Sequence, residues 1–133
     1  MREKLSLILI VLLAISLRLY GINWDQGFHL HPDERMIIMV ADRIEFFIQM
    51  DPDFYNYGSL PIYLLAGAGQ LVDSIFSTRL DTYDGMLYMG RSLSTMFDVL
   101  TLIIIFKLSE ALFNRRPISL AASSLYAIAI FPI

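Results

Sequence analysis

Hydrophobic positions along this chain fall into runs. Leu5 to Leu17 is apolar apart from two serines, with Arg2 and Lys4 before it and Arg18 after it. Extended to Tyr20, the run predicts a helix of about 24 Å at 1.5 Å per residue. That is slightly short for a bilayer, and Lys4 and Arg18 can snorkel to make up the difference. No A-x-A-like site follows it, so a retained spanning helix is preferred to a cleaved signal peptide. Residues 86–113 give a stronger run with Val99 to Phe106 at its centre, broken by Asn114-Arg115-Arg116-Pro117. Ile118 to Ile133 begins another, and the chain stops inside it.

The stretch between the first two runs has a different rhythm. Over 33–50, Met36, Ile37, Val40, Ala41, Ile44, Phe47 and Ile48 share one arc at 100° per residue. Glu34, Arg35, Asp42, Glu45 and Gln49 share the opposite arc. This predicts an amphipathic helix lying on a membrane surface, ended by Asp51-Pro52-Asp53. Phe54 to Ser59 is aromatic and turn-prone, and Ser59 with Pro61 can open another helix, roughly Leu60 to Phe76. Gly67, Gly69, Gln70 and Asp73 make that helix a poor spanning segment.

Charge then assigns sides. Residues 21–85 hold ten acids and three arginines, a balance of −7 within a total of −3. The remainder is +4, concentrated at the two basic ends. If 60–76 spanned, Arg115 and Arg116 would lie outside; if it lies along the surface, they join Arg2 and Lys4 in the cytoplasm. The second arrangement is expected. Composition agrees: 56% of the 133 residues are hydrophobic and the mean hydropathy is +0.59, above the 45–50% apolar content usual for soluble domains. The expected fold is therefore an all-α integral membrane protein in the cell membrane, N-terminus cytoplasmic. About three transmembrane helices (5–20, 86–113 and an incomplete 117–133) flank an outer loop, 21–85, with two juxtamembrane helices. There is no cysteine, so neither disulfides nor thiolate metal sites enter.

Chemistry gathers in His29-Leu30-His31-Pro32-Asp33-Glu34. Pro32 suits the first position of a helix, which puts Asp33 and Glu34 in its first turn. Free N–H groups and the helix dipole favour carboxylates there. Such a pair at a membrane boundary suits a general base or a cation site; helix capping by two acids is the plainer reading. His29 and His31 alone are a weak metal signal. Arg91, Ser94 and Asp98 share one helix face. At that depth they must face protein or a wet cavity, either as an Arg–Asp pairing between helices or beside an anionic ligand.

These residues together resemble a known family. "LRLYGI" leads to "HPDE", an amphipathic stretch, "YGSLPIYLL" and then "GRSLSTMFDVLTLIIIFKLSEALFNRRPISLAASSLYAIAIFP". The pattern is similar to the N-terminal part of GT-C glycosyltransferases that use a polyprenyl-phosphate-linked sugar. Protein O-mannosyltransferases and the aminoarabinose transferases of lipid A are the nearest in kind. The resemblance covers essentially the whole chain; its specific part is the acidic pair in the first outer loop, and the rest are patterns that hydrophobic helices share. It implies a fragment of a larger GT-C bundle that transfers a sugar to a hydroxyl on a protein, lipid or glycan at the outer membrane face. Asp33 would be the base and Glu34 its neighbour, with Arg91 holding the donor phosphate or serving structure. Some relatives carry Glu-Lys immediately before the proline of the second surface helix, serving metal and phosphate. Here Gly58-Ser59-Leu60 precedes Pro61, so those roles have no support. The cofactor stays undefined, a divalent cation included; the expected partners are the lipid-linked donor, the acceptor and the bilayer, and no nucleic acid. The competing function is a small membrane scaffold or subunit without chemistry.

Overall fold

The computed structural model describes the backbone of residues 2–129 and the side chains of 5–129. Five helices follow one another: α1 (Arg2–Tyr20), α2 (Pro32–Ala41), α3 (Ser59–Phe76), α4 (Tyr83–Phe113) and α5 (Arg116–Ile128). They divide into two compact units. The central unit is Asn23–Leu93, and the terminal unit is Met1–Ile22 with Ser94–Ile133. Helix α4 runs through the boundary.

The central unit has an ordinary apolar core. Ile38, Val40, Ala41 and Ile44 from α2 and its exit meet Ile62, Leu65 and Ala66 of α3 and Met86, Leu87 and Met89 of α4. Two glycines set the close approach of α3, the connecting turn and α4. A Cβ on Gly69 would come 2.9 Å from the Leu80 carbonyl oxygen, and one on Gly85 would strike the carbonyl of Arg79. The turn between them uses left-handed backbone at Ser77 and Arg79. It is pinned by Asp73, which accepts the Arg79 N–H, and by Thr82, whose hydroxyl donates to the Arg79 carbonyl at 2.8 Å.

In the terminal unit α1 packs on α5. The buried apolar residues are small or few, Ala14, Leu102 and Ala127. Beside them Ser109, Ser119 and Ser123 are buried as well. Ser123 satisfies itself on the Ser119 carbonyl at 2.9 Å. The large apolar side chains face outward: Leu5, Ile8, Leu9, Leu12, Leu13 and Leu17 on α1, and Phe97, Leu100, Ile104 and Leu108 on α4.

Three expectations are corrected. The all-helical class holds, but about three spanning helices do not: among the described residues one helix, Ser59–Phe76, is long and apolar enough to cross a membrane. The apolar part of α1, Leu5–Tyr20, is too short for that. Helix α5, at 13 residues, reaches only about 20 Å; residues 130–133 of the expected third span lie outside the described set. Helix α4 has 31 residues but carries Asp84, Arg91, Asp98, Lys107 and Glu110. The second correction is that the helix expected to lie along the surface is the one fit to span. Its polar groups counted against it, yet they are satisfied inside the unit. Gln70 bonds the Ile44 carbonyl and the Phe46 N–H, and Asp73 holds the turn after α3.

The third correction concerns 33–50, which is not one helix. Helix α2 stops at Ala41. The Gln70 amide takes the backbone groups that helix continuation would have paired. Glu45 and Gln49 then bridge to each other, and Phe47 sits at a φ of 68°.

Candidate functional site

The chemistry-bearing residues of the central unit converge at the start of α2. His31 is the N-cap, with extended backbone and no capping bond from its own side chain. Pro32 fixes the first turn, which carries Asp33 and Glu34. Successive helix positions point about 100° apart, so the two carboxylates part company.

Glu34 turns inward to Arg91. The Arg91 Nε donates to Glu34 Oε1 and its Nη2 to Oε2, each at 2.8 Å. On its other edge, Nη1 and Nη2 donate to the two oxygens of Asp25 at 2.9 Å. One guanidinium thus makes two bidentate forks, the strongest geometry available to an arginine–carboxylate pair. The Trp24 ring lies 5.6 Å from the guanidinium carbon. Arg91 is 2% exposed and Asp25 3%. Asp25 also accepts the N–H groups of Gly27 and Leu30. Hydrogen bonding from Arg91, aided by those two N–H groups, holds the Asp25 carboxyl well below the ordinary carboxylate range despite its burial. The triad fixes the loop 23–31 and the first turn of α2 onto α4.

Asp33 stays exposed. It accepts one hydrogen bond, from the Tyr57 hydroxyl at 3.1 Å. That bond and the carboxylate charge push the Tyr57 phenol up. A carboxylate has about four acceptor sites, so Asp33 is oriented by one bond and keeps capacity for a further donor.

The remaining candidates are placed as follows. His29 is buried, stacked on Tyr83 at 4.5 Å between ring centroids. Its Nε2 faces Asp84 Oδ1 at 3.3 Å, while Nδ1 has no partner. A carboxylate can only accept, so Nε2 carries the proton in that contact. His31 is exposed. Among the described residues no group of three or more His, Cys, Asp or Glu side chains is arranged to hold a metal ion. Asp98, which shares a helix face with Arg91, belongs to the terminal unit, where it pairs with Arg18 and accepts the Tyr126 hydroxyl at 2.5 Å. Arg18 also donates to the carbonyls of Ala14 and Ala127 at 3.2 and 3.1 Å.

Sequence reasoning did not single out Asp25, Trp24 or Tyr57, and it gave Arg18 a snorkelling role where the structure pairs it with Asp98. A usable signal existed for Asp25: an arginine inside a unit must satisfy five donors, so a second acid had to be found for Arg91. No protein family, curated protein or solved structure matches the chain.

Proposed function

We propose that the chain supplies the acceptor-activating carboxylate of a membrane glycosyltransferase that draws on a polyprenyl-phosphate-linked sugar. The observation that carries this reading is the division of labour in the acidic pair. Glu34 is tied to Arg91, while Asp33 is exposed, oriented by Tyr57 and able to accept a proton. In the reaction an acceptor hydroxyl, on a protein, lipid or glycan, gives its proton to Asp33 as its oxygen bonds the anomeric carbon. The bond from that carbon to the phosphate oxygen breaks, and polyprenyl phosphate leaves with the electron pair. Arg91 acts structurally here, holding Glu34 and so the turn that presents Asp33. The outward leucines of the terminal unit and the composition of α3 support a membrane setting.

The test is transfer of labelled sugar from polyprenyl phosphate by the purified protein containing this chain. Asp33→Asn keeps the shape of the first turn and removes the base, so transfer should fall about 10²–10⁴-fold with an unchanged melting temperature. Wild-type transfer by Asp33→Asn would remove the residue from the mechanism. The scaffold reading has one observation in its favour: Arg91, Asp25 and Glu34 spend their charges on one another. It would be supported if wild-type protein, given donor and a range of hydroxyl acceptors, transferred nothing.

A further inference from the structure

Helix α3 has two apolar faces. Ile62, Leu65, Ala66 and Gly69 are buried in the core of the central unit. Leu60, Leu64, Leu71 and Ile75 are exposed, and at 100° per residue they form one stripe on the opposite side. Of its 18 residues only Ile62, Leu65, Ala66 and Gly69 are buried, whereas a soluble core helix of this composition would be mostly covered. No charged residue occurs from Ser59 to Val72.

A second exposed element adjoins the stripe. The Phe46 ring lies against Gly67, where a Cβ would come within 3.2 Å of it, and it packs edge-on to Tyr63 at 6.5 Å. On the helical wheel Gly67 borders the stripe. Phe46 is thus seated at the stripe's edge, and the next two residues are Phe47 and Ile48, 93% and 81% exposed. Their exposure is built in. Glu45 and Gln49 exchange backbone hydrogen bonds at 2.9 and 2.8 Å, and Gln70 fixes the base of the tip. Phe47 holds a left-handed backbone that a bulky aromatic residue rarely adopts. A strained conformation that presents two large apolar side chains points to a use for them.

We propose that the central unit meets the acyl chains of a lipid bilayer through this surface, the outer stripe of α3 together with the Phe47–Ile48 tip. The length and composition of α3 favour lipid over a protein partner, since it is the described helix fit to lie in hydrocarbon. Charge gives the lipid no headgroup preference: residues 21–85 are net acidic, so anionic lipids add no attraction. The contact is hydrophobic and needs only neutral lipid. It does not depend on the sugar-transfer reading.

The chain has no cysteine, so single-cysteine variants report cleanly. Ile48→Cys, Leu64→Cys and Leu71→Cys, with Asp53→Cys as an aqueous control, would carry an environment-sensitive NBD label. The probe is the protein reconstituted in phosphatidylcholine vesicles, with doxyl-labelled lipid and aqueous iodide as opposing quenchers. Helix content by circular dichroism confirms that each variant is folded. At 48, 64 and 71 the expected result is blue-shifted emission, quenching by doxyl lipid and protection from iodide, with the reverse at 53. Iodide quenching at those three positions equal to that at 53 would overturn the proposal. Protection from iodide without doxyl quenching would overturn it too, by showing the face covered by protein, such as a second copy of the chain.

Discussion

The two units answer the same problem, a charged arginine inside a helical assembly, in opposite surroundings. In the central unit Arg91 is held by Asp25 and Glu34 beside a core of isoleucine, leucine and methionine. In the terminal unit Arg18 is held by Asp98, with Tyr126 on the same carboxylate and two helix carbonyls on the guanidinium. There the interior is mostly alanine and serine, with Leu102 and Thr95, while many leucine, isoleucine and phenylalanine side chains face out. The central unit is organised by removing apolar surface from water. The terminal unit is held by close helix contact at small residues and by polar bonds between its helices. Arginine is thus locked onto a loop and a helix's first turn in one unit and shared among groups of three helices in the other.

The largest effect should come from breaking the triad. Arg91→Met removes the charge and leaves Asp25 buried without its partner, which costs about 3–5 kcal/mol. Hydrogen exchange should show α2 and the loop 23–31 opening, with α1 and α5 keeping their protection. Equal loss of protection in both units would show that they fold as one and dissolve the comparison. Arg91→Lys should fall between, because an ammonium cannot make two forks.

The terminal unit should tolerate its equivalent change better. Arg18 and Asp98 have side chains 11% and 28% exposed, and Tyr126 stays on Asp98 when the arginine goes. Arg18→Met should cost about 1–3 kcal/mol, read as earlier thermal loss of α1 and α5 helicity. A cost as large as that of Arg91→Met would make the two arginines equivalent despite their surroundings.

Part of this contrast could be read from the chain, and part could not. The helical class, the first turn at Pro32 and the break at 114–117 follow from periodicity, proline and turn chemistry. The extent of α2 did not follow. Its apolar arc continues to Ile48, yet the helix ends at Ala41, and the Gln70 side chain, from a separate helix, takes backbone groups just beyond that end. The same residue misled the reading of α3, where an amide satisfied by backbone groups looked like a penalty. Arg91 and Asp98 share a face, yet they do not pair. Helical side chains lean toward the N-terminus, so Arg91 reaches back to α2 and its loop, away from a residue seven positions on. Asp25 lies in a loop with no period to betray it. The first-turn place of the acidic pair was legible from Pro32, but its division was not: Glu34, on the polar arc by periodicity, turns to Arg91, and Asp33 is oriented by Tyr57.

The smallest effect sharpens the comparison by pH. Asp25 has a folded pKa held below its unfolded value, chiefly by hydrogen bonding from Arg91. The sign follows: its contribution is fully present above the unfolded value, about 3.9, and declines as pH falls toward the folded one. Between those limits the unfolded chain binds a proton that the folded chain does not. Each pH unit then costs at most about 1.4 kcal/mol. Other carboxylates titrate over the same range, so the informative quantity is a difference in slope. Asp25→Asn should be less stable than wild type near neutrality, yet lose less between pH 4 and 2. The measurement is hydrogen exchange of α2 and α3 across that range in both proteins. Protection of α2 and α3 that declines with equal slope in wild type and Asp25→Asn would show that Asp25 does not carry the acid sensitivity of the central unit.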